Sequence, residues 1–181
     1  MQCLILAGGL GTRMRPVTET VPKVLIPVLG RPFVEYQLGW LASQGFDDVV
    51  LSVGYKGEMV RDHVGDGSRF GVRVSYTDEG EKLMGTGGAL RVALEAGLLQ
   101  ESFFVLYGDS YLSLDLRKAW MHFADSGQPA LMTVFNNRGQ WETSNVIYDG
   151  SRIVLYDKRR PNPRSSEMSH VDYGLTGFRR D

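Results

Sequence analysis

The sequence predicts an α/β fold in which helices cover both faces of a mostly parallel sheet. Short apolar segments alternate with segments of helical periodicity along the first 135 residues, which is the order expected of a doubly wound sheet. Residues 103–107 (FFVLY) are apolar throughout, as is typical of a central parallel strand buried on both faces. Glycine or proline marks most boundaries between the segments.

The predicted elements follow one another regularly. We predict strands at 2–7, 48–54, 72–77, 103–107 and 129–135. We predict helices at 32–44, 56–64, 87–99 and 116–124, the first with Pro32 in its opening turn. The pattern then changes to a β-hairpin with strands at 146–148 and 152–156, joined by a turn at Asp149-Gly150. A loop at 161–163 and a last strand at 170–178 complete the order.

Length and composition limit the classes of protein. A chain of 181 residues suits one compact domain, and its net charge of −1 indicates no general affinity for nucleic acid or for an acidic membrane surface. The single cysteine, Cys3, excludes a disulfide framework and favours a reducing, cytoplasmic setting. No stretch approaches the ~18 consecutive apolar residues that a membrane span needs. The composition leaves a homo-oligomer open.

The chain ends at Arg179-Arg180-Asp181, without the closing helix or strand expected of a finished domain. We therefore expect residues 1–181 to be a single domain that lacks its C-terminal end.

A glycine-rich loop, Gly8-Gly-Leu-Gly-Thr-Arg13, directly follows the first strand. Ligands of open α/β sheets bind beyond the carboxyl ends of the strands, and glycines let backbone N–H groups approach phosphate oxygens. A tight turn that happens to contain glycines would explain the loop equally well. The loop lacks the third glycine of the dinucleotide fingerprint and the Gly-Lys-Thr/Ser of ATPase loops.

The residues that follow extend the pattern to position 32. Here the chain resembles the sugar-1-phosphate nucleotidylyltransferases, whose signature is a GGxGTRxxPxT loop followed by PKxxxPvxgxP. The matching positions are Gly8, Gly9, Gly11, Thr12, Arg13, Pro16, Thr18, Pro22, Lys23, Pro27, Gly30 and Pro32. The resemblance implies a Rossmann-like fold and an enzyme that joins a nucleoside triphosphate to a sugar 1-phosphate with release of pyrophosphate.

The resemblance also implies a nucleotide site. In the family the glycine loop holds the triphosphate, the residue matching Arg13 stabilises the departing pyrophosphate, and the lysine matching Lys23 neutralises the α-phosphate. A second motif, at 84–90, resembles the segment that contacts the nucleoside, although a strand-to-helix turn would also explain its first glycine. The implied nucleotide-binding residues are Leu6, Ala7, Gly8, Gly9, Gly11, Thr12, Arg13, Lys23, Gly85, Thr86, Gly87, Gly88 and Gly108.

Asp109 follows the apolar strand in a Gly-Asp pair, where the family carries an aspartate that binds Mg²⁺. We expect Arg13, Lys23 and Asp109 to be the catalytic residues. Capping of the next helix is the alternative function of Asp109, which Ser113 or Asp115 could perform instead. The family commonly uses a second aspartate late in the chain, for which Asp172 is a candidate only if the last strand folds into the site.

The acceptor site is implied by residues nearer the end of the chain. Lys158, in an Asp-Lys pair after the hairpin, matches the lysine that holds the phosphate of the sugar 1-phosphate. A basic surface loop at 158–160 is the alternative. Tyr173 and Gly174 match the region that lines the sugar pocket, and Asn145 is a further candidate.

The form of the motif at 85–89 most resembles guanylyltransferases of mannose- or heptose-type 1-phosphates. Uridylyltransferases for cell-wall sugars are the next alternative, and a relative acting on a non-sugar phosphate is less favoured. A non-catalytic nucleotide-sensing domain on the same fold would typically lack the loop arginine or the aspartate, and both are present. A nicotinamide oxidoreductase is excluded because the second strand ends Ser52-Val53-Gly54, without an acidic residue.

Overall fold

The computed structural model describes residues 1–80, 84–140, 142–159 and 164–180. The loop predicted at 161–163 and the terminal Asp181 lie outside the described residues. The strands are β1 (Gln2–Leu6), β2 (Pro27–Val28), β3 (Arg31–Pro32), β4 (Asp48–Val53), β5 (Arg73–Asp78), β6 (Ser102–Tyr107), β7 (Ala130–Asn136), β8 (Val146–Tyr148), β9 (Ile153–Tyr156) and β10 (His170–Arg179). The α-helices are α1 (Phe33–Ser43), α2 (Gly57–Val64), α3 (Gly85–Glu95) and α4 (Leu116–Ser126).

The main sheet begins with four parallel strands in the order β5-β4-β1-β6. The last strand, β10, lies antiparallel beside β6, and β7 and β8 both pair with β10. The hairpin of β8 and β9 closes this side of the sheet. The doubly wound, mostly parallel sheet with an added hairpin is therefore confirmed.

The strand predicted at 129–135 exists as β7, but it does not continue the parallel series. It pairs antiparallel with β10, which takes the place next to β6. The burial of the two strands agrees with this order. Every residue of β7 is half-buried or exposed, whereas β10 carries buried residues such as Leu175 into the centre of the sheet. A strand beside the buried β6 must be covered on both faces, and β7 is not.

Helices cover both faces of the parallel strands. The side chains of β1 alternate, so that Cys3 and Ile5 join a core with α1, α2 and α4, while Leu4 joins a second core with α3. Both cores are fully buried at their centres. None of the helices in the described residues has the length and apolar character that crossing a bilayer requires.

The clearest differences from the predicted elements are in α3 and in the hairpin turn, and the two-stranded sheet of β2 and β3 was not predicted. Helix α3 begins at Gly85, two residues before the predicted start, and ends at Glu95, four residues before the predicted end. After Glu95 the backbone N–H of Gly97 donates to the carbonyl oxygen of Leu94, which is not the bond that would continue the helix. The hairpin turn is longer than Asp149-Gly150. The carboxylate of Asp149 accepts bonds from the N–H groups of Ser151 and Arg152, which holds a four-residue turn.

Phe104 of β6 is fully buried against the rings of Phe46, Trp120 and Phe123. We predict that Phe104→Ala lowers the free energy of unfolding by about 3–5 kcal/mol, because it removes buried apolar area and leaves a cavity. Chemical denaturation measures this change. Met121→Ala, at a side chain 63% exposed, is the control and changes the stability little. A loss below about 1 kcal/mol for Phe104→Ala would contradict the described core.

Candidate functional site

A cavity of about 260 Å³ opens at the carboxyl ends of the parallel strands. This is the edge of an open α/β sheet at which ligands bind. The sequence predicted these lining residues: Leu6, Ala7, Gly8, Gly9, Lys23, Gly85, Thr86, Gly108 and Asp109. It missed four others: Val24, Glu79, Ala89 and Tyr107.

The backbone of Gly108 joins the ends of β1 and β6. Its N–H donates to the carbonyl oxygen of Leu6 at 3.0 Å, which extends the pairing of the two strands by one step. A Cβ on residue 108 would lie only 2.5 Å from that oxygen, so the position requires glycine. The consequence is that Asp109 leaves the sheet directly beside the glycine loop.

Lys23 and Asp109 form an ion pair at the wall of the cavity. Lys23 opens a short 3₁₀ turn, Lys23–Leu25, that is anchored by the buried side chain of Val24. The side chain of Lys23 is 24% exposed and that of Asp109 is 42% exposed, so both remain accessible to a ligand. The pair places one cation and one carboxylate next to the N–H groups of the loop.

The remaining loop residues line a neighbouring depression of about 390 Å³. Gly11, Thr12 and Arg13 form its wall, and it shares Gly9 and Lys23 with the main cavity. The side chain of Arg13 is exposed there. Arg13 and Asp109 thus lie on two adjoining depressions that meet at Lys23.

Gly85 and Thr86, at the N-terminus of α3, face the main cavity, whereas Gly87 and Gly88 do not line it. Gly88 has a packing function, because a Cβ there would lie 2.2 Å from the Cβ of Met84. The first N–H groups of a helix have no partner within the helix and favour anionic or polar ligand atoms. The start of α3 therefore supplies donors to one end of the cavity.

Glu79 lies at that same end, immediately after β5. Its backbone N–H donates to the carbonyl oxygen of Val53. One carboxylate oxygen accepts from the hydroxyl of Ser52 at 3.3 Å, and the other accepts from the N–H of Met84 at 3.4 Å. Within the described part of the chain, no lysine, arginine or histidine forms an ion pair with this carboxylate. Its place directly after a predicted parallel strand is the sequence signal that could have identified it.

Asp172 of β10 is the centre of a second cluster. Its Oδ2 accepts bonds from Lys158 Nζ at 3.0 Å and Tyr156 OH at 2.9 Å, with Tyr107 OH at 3.4 Å. Its Oδ1 accepts from the N–H of Gly174 at 2.9 Å. The last strand does fold into the site, but these contacts direct the carboxylate towards Lys158 and the two tyrosines.

Burial and charge fix the protonation of this cluster. Burial raises the pKa of the Tyr156 hydroxyl to about 12. The hydrogen bond to Asp172 also raises this pKa, whereas the bond to Lys158 lowers it. Burial by itself lowers the pKa of Lys158, but its bonds to Tyr156 and Asp172 raise it above the usual value. At neutral pH Lys158 is therefore a cation and Tyr156 is a hydrogen-bond donor.

Two of the other predicted acceptor residues lie beside Asp172. The side-chain oxygen of Asn145 accepts from the N–H of Asp172 at 3.0 Å, and Gly174 bonds to its carboxylate as above. Tyr173 differs from them. Its ring stacks on Phe135 and lines a separate depression with Trp40 and Tyr111. The structure therefore groups Asn145, Lys158 and Gly174 and leaves Tyr173 apart.

The donor set can be compared with the needs of a divalent cation. In the ranges that the structure describes, no three histidine, cysteine, aspartate or glutamate residues come together as a metal site. Asp109 is a single carboxylate at the cavity wall beside the glycine loop. Mg²⁺ is commonly held by one or two carboxylates together with substrate phosphates and water. The residues present fit a cation that arrives with a triphosphate.

The chain is similar to proteins of known families. The model of the family described as nucleotidyl transferase matches residues 2–145. A D-glycero-alpha-D-manno-heptose 1-phosphate guanylyltransferase of Aneurinibacillus thermoaerophilus is 40% identical over 159 residues, which cover 88% of this chain and 68% of that protein. A UTP–glucose-1-phosphate uridylyltransferase of Synechocystis is 31% identical over 191 positions, covering 98% of this chain and 49% of that protein. The chain thus spans about half the length of the latter relative.

Among solved structures, HddC from Yersinia pseudotuberculosis matches with a TM-score of 0.77 at 24% identity, over 98% of this chain and 76% of that one. At this identity the match supports the fold alone. The family match spans the glycine loop, the motif of α3 and the Lys23–Asp109 pair, which are the features that form the cavity. The chain belongs to the nucleotidyl transferase family.

Proposed function

We propose that this chain transfers a nucleotidyl group from a nucleoside triphosphate to a sugar 1-phosphate and releases pyrophosphate. The observation that carries the proposal is the Lys23–Asp109 pair beside the glycine loop at the wall of the cavity. Transfer at phosphorus depends on positioning and charge neutralisation more than on covalent help from the protein. The family match and the guanylyl- and uridylyltransferase relatives support the same chemistry.

The proposed reaction is an in-line displacement. An oxygen of the sugar 1-phosphate attacks the α-phosphorus, the bond from that phosphorus to the bridging oxygen breaks, and pyrophosphate leaves with the electron pair. The nucleophile is already an anion, so no general base is required. The N–H groups of the loop and Arg13 neutralise the leaving pyrophosphate, and Lys23 neutralises the α-phosphate.

We propose Mg²⁺ as the cofactor, held by Asp109 and the phosphates of the substrate. When bound, the ion neutralises charge on the triphosphate. Lys23 then moves from Asp109 towards the α-phosphate, since both groups of the pair are partly exposed.

We propose GTP as the nucleotide, because Glu79 lies at the end of the cavity next to α3. A carboxylate only accepts hydrogen bonds. Guanine alone among the common bases presents two adjacent donors, N1–H and the N2 amino group, on its Watson–Crick edge. Uracil and thymine flank their single N–H with carbonyl oxygens, which a carboxylate repels. Adenine and cytosine place an acceptor nitrogen beside their amino group.

Glu79 and Asp109 follow β5 and β6, the outer two of the four parallel strands. The carboxylate of Glu79 turns back across the strand ends: it faces Ser52, and a Cβ on Gly8 would lie only 2.5 Å from its Oε1. A base bound by Glu79 would therefore lie beside the first residue of the glycine loop. We propose a mannose- or heptose-type 1-phosphate as the acceptor, as in the guanylyltransferase relative. A uridylyltransferase is the alternative, favoured by the uridylyltransferase relative.

We predict that Asp109→Asn lowers pyrophosphate release by about 100-fold or more, because it removes the carboxylate that would hold Mg²⁺ beside the phosphates. A coupled pyrophosphate assay with GTP and mannose 1-phosphate measures the rate. Asp125→Asn, at an exposed aspartate of α4, is the matched control and keeps the rate. Near-normal turnover of Asp109→Asn would refute its function. Nucleotide binding without release from any donor and acceptor pair would favour a sensing domain.

Arg13 can be tested against a neighbouring arginine. We predict that Arg13→Ala lowers kcat for pyrophosphate release by about 10–100-fold, because charge on the leaving group is no longer neutralised. Arg15→Ala is the control, since Arg15 is exposed in the same loop and lines neither depression. Equal rates for the two variants would remove Arg13 from the site.

The function of Glu79 can be tested with inosine triphosphate, which differs from GTP only by lacking the N2 amino group. We predict that the unaltered chain prefers GTP to ITP by about tenfold in kcat/KM, and that Glu79→Gln brings this ratio close to one. Glu58→Gln removes an exposed carboxylate of α2 and leaves the ratio unchanged. An unchanged ratio in Glu79→Gln, or a preference of the unaltered chain for UTP, would contradict guanine recognition.

A further inference from the structure

Asp172 connects residues that the sequence analysis assigned separately to the acceptor site. Its carboxylate accepts bonds from Lys158 and from the N–H of Gly174, and its backbone N–H donates to Asn145. The carbonyl of Asn145 in turn accepts the N–H of Asp157, directly before Lys158. One aspartate of β10 therefore fixes three chain segments relative to each other.

The carboxylate of Asp172 is buried, while the lysine that it contacts is not. The side chain of Asp172 is 3% exposed and that of Lys158 is 54% exposed. A buried carboxylate needs its donors, because an unpaired one carries a large desolvation cost. The lysine bonds to Asp172 and Tyr156 and keeps one of its three N–H donors for another anion. The pair is thus built with its anion inside and its cation facing outward.

Tyr107 connects this pair to the nucleotide cavity. Its ring lines the cavity two residues before Asp109, and its hydroxyl faces Asp172. The ammonium of Lys158 lies 5.5 Å from the centre of the Tyr107 ring and 5.3 Å from that of Tyr156. Lys158 therefore lies beside a residue that lines the cavity.

We propose that Asp172 is a positioning residue that holds the ammonium of Lys158 where it meets the phosphate of the sugar 1-phosphate. This inference rests on the proposed function, and it assigns Asp172 to the acceptor and not to the metal. A lysine side chain has four rotatable carbon–carbon bonds and loses much freedom when it binds a phosphate. Anchoring by Asp172 removes most of that loss before the substrate arrives. The hydroxyls of Tyr156 and Tyr107 disperse the charge of the carboxylate, so it repels the incoming phosphate less.

A double-mutant cycle tests the proposal, because a residue that acts through Lys158 has no effect once Lys158 is absent. The variants are Asp172→Asn, Lys158→Met and the two combined. KM for mannose 1-phosphate and KM for GTP are measured by pyrophosphate release, with Asp125→Asn as the control for loss of one aspartate. We expect Asp172→Asn to raise KM for mannose 1-phosphate by about tenfold and KM for GTP by less than twofold.

In the Lys158→Met background we expect Asp172→Asn to change KM for mannose 1-phosphate by less than twofold. The proposal would be overturned if Asp172→Asn raised KM for mannose 1-phosphate about tenfold in that background as well. It would also be overturned if Asp172→Asn alone raised the KM values for both substrates equally, or left KM for mannose 1-phosphate unchanged. If Asp172→Asn does not fold, Tyr156→Phe removes one bond to the carboxylate and keeps its charge. We expect this variant to raise KM for mannose 1-phosphate about two- to threefold, and no increase would count against the inference.

The proposed function and this inference fail in different ways. If the unaltered chain releases no pyrophosphate with GTP, UTP or dTTP and any of mannose, glucose or heptose 1-phosphate, the proposed function fails and the inference fails with it. If the unaltered chain releases pyrophosphate but the effects of Asp172→Asn and Lys158→Met on KM are additive, only the function of Asp172 is refuted. Where the panel selects another pair of substrates, the cycle uses that pair.

Discussion

The site depends on one backbone contact, the bond from the N–H of Gly108 to the carbonyl oxygen of Leu6. It continues the pairing of β1 and β6 past their ends, so the glycine loop and Asp109 leave the sheet side by side. The close approach excludes any side chain at residue 108. Val24, next to Lys23, also packs against Gly108, and Lys23 pairs with Asp109 beside this contact.

The antiparallel insertion of β10 is the second constraint. It places Asp172 next to β6, where the hydroxyl of Tyr107 reaches it, and so connects the main cavity with the segment of Lys158. A fifth parallel strand in that position would have come from residues 130–136, which carry no carboxylate. The shape of the acceptor side therefore follows from which strand could be buried beside β6.

The sequence predicted the parallel half of the fold and most of the residues that line the main cavity, because both depend on local signals. Strand, loop and motif are adjacent in sequence for Gly8 and Gly108, and the carboxyl-end rule then brings them together. The position of β10 and the contacts of Asp172 were not predicted, since they depend on pairing between segments about 70 residues apart, such as Leu106 and Leu175. The packing of Gly88 against Met84 was not predicted either, and its assignment to the nucleotide stays a prediction.

Three carboxylates now have three different environments, and the environments indicate three different uses. Asp109 is paired with an accessible lysine and Asp172 is buried beneath one. Among the described residues, Glu79 has only neutral donors beside it. A phosphate can displace the first pair, and it can join the cation of the second. A ligand that brings its own hydrogen-bond donors suits the third. Glu79 and Asp109 follow different strands and Asp172 lies within another, so each environment is set by a separate segment of the chain.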